Sequence, residues 1–171
     1  AGFNWEDNGL ITSMLQEISH RGPDGRGFFF DKTTSLGHNR LSIIDLSNSG
    51  KQPMCNEKGD VWITFNGEIY NHLELKKSLK QKHRFKSGTD TEVLLHLYEE
   101  EGEEMLLKIQ GMFAFCIYDA KNKTLFLARD RLGVKPLYYF NKGKNFIFCS
   151  ELKGLLKYNK ISRDINFNSL G

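Results

Sequence analysis

The stretch GMFAFCIYD, Gly111 to Asp119, limits the possible folds more than any other part of the chain. From Met112 to Tyr118 it is apolar at every position. A strand in a sheet with one wet face alternates apolar with polar residues. An unbroken apolar strand must be covered on both faces. TLFLARD, PLYYF and NFIFCSE follow as further strands, with short polar links such as Lys121-Asn122-Lys123 and Asn141-Lys142-Gly143-Lys144. Links that short make neighbouring strands antiparallel, and both faces of the sheet they form need covering. Upstream, Leu10, Ile11, Met14, Leu15 and Ile18 keep helical spacing until RGPDG, where Pro23 and Asp-Gly end the helix. GFFFD and SLGHNRLSIID read as strands. Asn71 with Glu74, and Thr89 with Glu92, predict two helix starts, the first helix running to about Gln81. Gly102 then sets off a short helix over EEMLLKI. With only about four helices, one economical solution stacks two antiparallel sheets and sets helices outside each. That is an α+β fold, a four-layer αββα sandwich.

At 171 residues the chain suits one domain with a substantial core. Its net charge of +3 is too small to argue for nucleic acid, and KKSLKQKHRFK reads as the solvated face of a helix. No stretch is long and apolar enough to span a membrane, and no secretory signal opens the chain. Three cysteines without metal-ligand spacing fit a reducing, cytoplasmic setting. The five histidines are scattered, and no metal site is predicted.

VWITFNGEIYN poses the functional question, because an apolar strand stops at Asn66-Gly67. Asn-Gly after such a run is a strong hairpin signal, and a tight turn is one reading. The partner strand, however, is missing: Glu68-Ile69-Tyr70 is brief and leads into a helix cap at Asn71. The other reading makes the strand end a donor cluster, with the Asn66 amide and the Gly67 N–H facing a developing oxyanion. Glycine there lets a ligand approach the backbone. Arg40 offers a two-pronged grip for a carboxylate, and Glu68 and Asp90 offer carboxylates for an ammonium. One cation with two anions complements a free amino acid. Taken singly, Arg40 also fits a surface ion pair, and Asp90 fits an ordinary acid at a helix N-terminus.

Eight segments occur in order: AGF, HRGPDG, HNRLSIIDL, NGEIYN, SGTDTEVLL, GMFAF, RDRLGVKPLYY and SELKGLL. Together they resemble the glutaminase domain of glutamine-dependent asparagine synthetases. That domain is a class II glutamine amidotransferase with the N-terminal-nucleophile (Ntn) hydrolase fold, itself an αββα sandwich. The resemblance implies that Arg40 binds the α-carboxylate of glutamine and that Glu68 and Asp90 hold its α-ammonium. It also implies that Asn66 and Gly67 form the oxyanion hole and that Leu41 and Ile43 line the pocket. The family nucleophile is an N-terminal cysteine within CGIAGF, whereas this chain opens at AGF. Cys-Gly-Ile is therefore expected before Ala1, and the chain as written should bind glutamine at best. Cys55, Cys116 and Cys149 carry no free α-amine and cannot substitute.

The resemblance further implies one glutaminase domain, residues 1–171, of a longer protein with a C-terminal ATP-dependent synthetase domain. That partner domain would use ATP and Mg to convert aspartate to asparagine. No cofactor is expected in the glutaminase domain itself, and a homodimer is left open. Two alternatives remain. One is a catalytically silent glutamine-binding or scaffold domain; the other is a glutaminase feeding a different acceptor, such as a sugar acid.

Overall fold

A computed structural model describes residues 1–41 and 48–164. In chain order the elements are β1 (Gly2–Phe3), α1 (Asn8–Glu17), β2 (Gly25–Asp31), β3 (Thr34–Arg40), β4 (Met54–Cys55) and β5 (Val61–Ile69). Then come α2 (His72–Leu79), α3 (Asp90–Glu101), β6 (Gly111–Asp119), β7 (Thr124–Arg129), β8 (Tyr138–Lys142), β9 (Asn145–Cys149) and α4 (Leu152–Leu155). Short 3-10 turns cover Ser19–Arg21, Asn48–Gly50 and Gly102–Leu107.

Two antiparallel sheets form, in the orders β2-β3-β1-β9-β8 and β4-β5-β6-β7. The apolar run of β6 explains how they stack. Phe113, Phe115 and Ile117 pack with Val93, Leu94 and Leu97 of α3 on one face. Cys116 and Tyr118 turn the other way, against Leu36 of β3 and Phe148 of β9 in the opposite sheet. Beyond that second sheet, Phe3, Ile147 and Cys149 pack under Ile11, Met14 and Leu15 of α1 and Leu155 of α4. The layers are therefore helix, sheet, sheet, helix, as the unbroken apolar strand requires.

Three local expectations change. The four C-terminal strands do not share one sheet: β6 and β7 belong to one, β8 and β9 to the other. Asp130 starts the crossing. Its carboxylate accepts the N–H groups of Phe113, Val134 and Lys135, and its own N–H donates to the Phe113 carbonyl. Second, Asn66-Gly67 is no turn. β5 runs through it in register with β6, Asn66 opposite Ala114 and Gly67 opposite Phe113. A Cβ at Gly67 would meet the Met112 carbonyl oxygen at 2.2 Å, so only glycine lets the two backbones lie this close. Third, the Asn71 side chain does not cap α2. Its amide donates to the Lys108 carbonyl and its oxygen accepts from the Gln110 N–H, pinning the start of α2 to the approach to β6.

Candidate active site

The pleat assigns the site residues to one gap. In β3 and β5 the even-numbered residues face the opposite sheet, and Leu36 and Trp62 join the core between the sheets. Further along the same strands, His38 and Arg40 come from one sheet and Asn66 and Glu68 from the other. With Ala1, Leu41, Gly67 and Asp90 they line one cleft of about 290 Å³. Six of the residues expected from the sequence thus meet: Arg40, Leu41, Asn66, Gly67, Glu68 and Asp90. Ile43 lies outside the described residues.

The outer edge of β5 carries the amide donors. The Phe65 N–H donates to Gln52 Oε1 at 2.6 Å, and the Ile69 N–H donates to Asp90 Oδ2 at 3.0 Å. Alternation along an antiparallel strand points the Gly67 N–H the same way, between these two. Beside it, the Asn66 Nδ2 group is buried and has no hydrogen-bond partner among the described residues. A buried unpaired amide costs about 1–3 kcal/mol unless something accepts its hydrogen bond. Sequence inspection did not single out Gln52. Besides Phe65, it holds the Thr91 hydroxyl through Nε2 at 3.2 Å, and so ties β5 to the start of α3. Its only local signal is its place in KQPM, beside a proline.

Asp90 is the first residue of α3, capped by Thr89. Only 4% of its surface is exposed, and burial raises its carboxyl above the ordinary value despite the Ile69 N–H. A cation arriving beside it would relieve that cost. His38 behaves oppositely. Burial, reinforced by the Arg40 charge, lowers its imidazole well below the ordinary value, so it is neutral at pH 7. The Ala1 backbone nitrogen donates to the Gly37 carbonyl at 3.0 Å, which places the start of β1 at the cleft wall. Cys116 lines a small cavity with Ala1 and Asn66, but burial pushes its thiol well up, and a protonated thiol is a poor nucleophile. Arg21, fixed to Glu151 at 3.0 Å, and Lys135 add positive charge to the rim.

A family model described as glutamine amidotransferase domain matches residues 1–171. The chain belongs to that family. Among its relatives, asparagine synthetase [glutamine-hydrolyzing] 1 of Bacillus subtilis is 47% identical over 148 residues, 86% of this chain and 23% of the relative. The asparagine synthetase [glutamine-hydrolyzing] of Zea mays is 45% identical over 146 residues, 85% of this chain and 25% of its own length. This amidotransferase domain thus spans about a quarter of these relatives. Among solved structures, glutamine phosphoribosylpyrophosphate amidotransferase from Bacillus subtilis, complexed with ADP and GMP, shares the fold. Its TM-score is 0.74 over 90% of this chain and 42% of its own, at 22% identity.

Proposed function

We propose that this domain hydrolyses the side-chain amide of glutamine and supplies the ammonia to an ATP-dependent asparagine synthetase domain of the same, longer protein. Relatives named as glutamine-hydrolysing asparagine synthetases support glutamine as the substrate and asparagine synthesis as the use of its ammonia; aspartate is the acceptor we infer. One observation carries the chemistry: the buried Asn66 amide, without a hydrogen-bond partner among the described residues, beside the Gly67 N–H. Two such donors suit an amide oxygen that gains negative charge as its carbon becomes tetrahedral. Arg40 takes the α-carboxylate, while Glu68 and Asp90 take the α-ammonium. Each charge-assisted hydrogen bond contributes about 1.5–3 kcal/mol.

The nucleophile we assign is a cysteine three residues before Ala1. β1 pairs with β3 in the register Gly2 to Leu36. Continued backward, that register sets the third residue before Ala1 beside Arg40. Its α-amine, with an ordinary pKa of about 7.7–8.0, serves as general base near neutral pH. The amine accepts the thiol proton and the sulfur attacks the amide carbon. The oxyanion rests on Asn66 and Gly67, and ammonia departs with the proton. Water then cleaves the glutamyl thioester to glutamate and regenerates the thiol. This reaction needs no cofactor; ATP and Mg act in the synthetase domain. No helix among the described residues is long and apolar enough to cross a membrane. The free cysteines Cys55, Cys116 and Cys149 support a cytoplasmic setting.

The test uses the protein carrying Cys-Gly-Ile before Ala1. Asn66→Ala should slow glutamine turnover by about 10²–10³ with little change in KM. Arg40→Ala should mainly raise KM, by about 10–100-fold. Unchanged turnover in Asn66→Ala would refute the oxyanion assignment.

A further inference from the structure

Away from the cleft, the connection between α2 and α3 brings together two histidines that lie far apart in the sequence. His83 and His96 stack with ring centroids 4.3 Å apart. Both address one carboxylate oxygen, Glu99 Oε2: His96 Nδ1 at 2.9 Å and His83 Nδ1 at 3.7 Å. The donor atoms of the three residues lie within 4.8 Å of one another. In a tetrahedral zinc site, bonds of about 2.0–2.2 Å separate donors by about 3.3–3.5 Å, a spacing that the 2.9 and 3.7 Å separations bracket.

The far side of each donor group is also arranged. Coordination through Nδ1 leaves an Nε2–H on each ring, and metal-bound imidazoles commonly direct that N–H at a carboxylate. His83 Nε2 lies 3.0 Å from Glu100 Oε1. The buried His96 Nε2 has no hydrogen-bond partner among the described residues but faces Glu92 Oε1 at 3.8 Å. The remaining oxygen of Glu99 accepts from Asn56 Nδ2 at 2.8 Å. Asn56 is itself fixed, its own oxygen accepting from the N–H groups of Asp60 and Val61. Charge argues the same way. Glu100 is paired with Lys82, while among the described residues Glu92 and Glu99 have neutral donors and the two rings. Two protonated, stacked imidazoles would repel one another, whereas one dication balances both acids.

We propose that His83, His96 and Glu99 bind a divalent transition-metal ion, zinc by preference for two nitrogens and one oxygen, with water as fourth ligand. The ion would fasten the segment that leads from His83 to Asp90 at the cleft.

Zinc titration of this chain against a chromophoric chelator tests the site. The expected result is saturation at one zinc per chain, with binding lost by at least 100-fold in His83→Ala and Glu99→Gln. Glu100→Gln, which alters the carboxylate shared by His83 and Lys82 and leaves the three ligands in place, should weaken binding by about 10-fold. Cys55→Ser should change nothing. Failure to saturate at one equivalent, or wild-type affinity in His83→Ala, would overturn the proposal and leave a purely hydrogen-bonded histidine–glutamate cluster.

Discussion

Asn66 and Asp90 are both held in states that water would not favour, one a buried amide unpaired among the described residues and the other a buried carboxyl. Both costs are relieved if a zwitterion enters. Burial raises the Asp90 carboxyl, so it takes up a proton as pH falls through a range above its ordinary 3.8. Protonation removes the ammonium's partner, and glutamine affinity should weaken there. Asp90→Asn should weaken glutamine by about 10–100-fold at pH 7 and abolish that pH dependence, as calorimetric titration at several pH values would show. The stability effect has the opposite sign. A carboxyl whose folded pKa is raised costs stability once pH exceeds its unfolded value. Asp90→Asn should therefore leave the melting temperature at pH 7 equal or higher, while it weakens binding. A lower melting temperature would mean that Asp90 serves mainly as a structural acceptor for Ile69.

At the scale of elements, Glu92 does more than complete a capping box. Thr89 accepts the Glu92 N–H as the spacing predicts, but the Glu92 carboxylate reaches past Thr89 to the N–H groups of Lys86 and Ser87 and the Ser87 hydroxyl. Burial alone would raise this carboxyl; the nearby His96 ring, together with hydrogen bonds from Lys86 and Ser87, instead brings it from an ordinary 4.5 to about 2. A carboxyl depressed this far contributes about 3 kcal/mol at neutral pH, present above 4.5 and lost as pH falls toward 2. Glu92→Gln should cost about 2–3 kcal/mol at pH 7, and urea denaturation at pH 7 and pH 3 should show the gap narrowing. Local spacing predicted where α3 begins because a cap is a local device. It misassigned Asn71, whose partners Lys108 and Gln110 come from a distant segment.

Across the whole molecule, the apolar run of β6 was legible because it states a local fact with a global consequence: both faces are covered. Which strands share its sheet was not legible. The crossing after β7 depends on Asp130 collecting amides from β6 and from the following loop, and no periodicity records that. The cleft was legible in its charged and amide residues, since one cation, two acids and Asn-Gly have a joint chemical meaning. Gln52 was not, because its role appears only when β5 and α3 lie side by side. The pairing of His83 with His96 was missed for the same reason, since docking of the α2–α3 connection creates it.

The central claim is that the ends of β3 and β5 form a pocket for the glutamine zwitterion with donors waiting at its amide. Titration of the isotope-labelled chain with L-glutamine, followed by amide NMR, tests this most directly. Saturable shifts should appear in the Asn66 side-chain amide and the Gly67 backbone amide, and vanish in Arg40→Ala. Contradiction would be shifts that leave Asn66 and Gly67 unmoved, or that persist undiminished in Arg40→Ala.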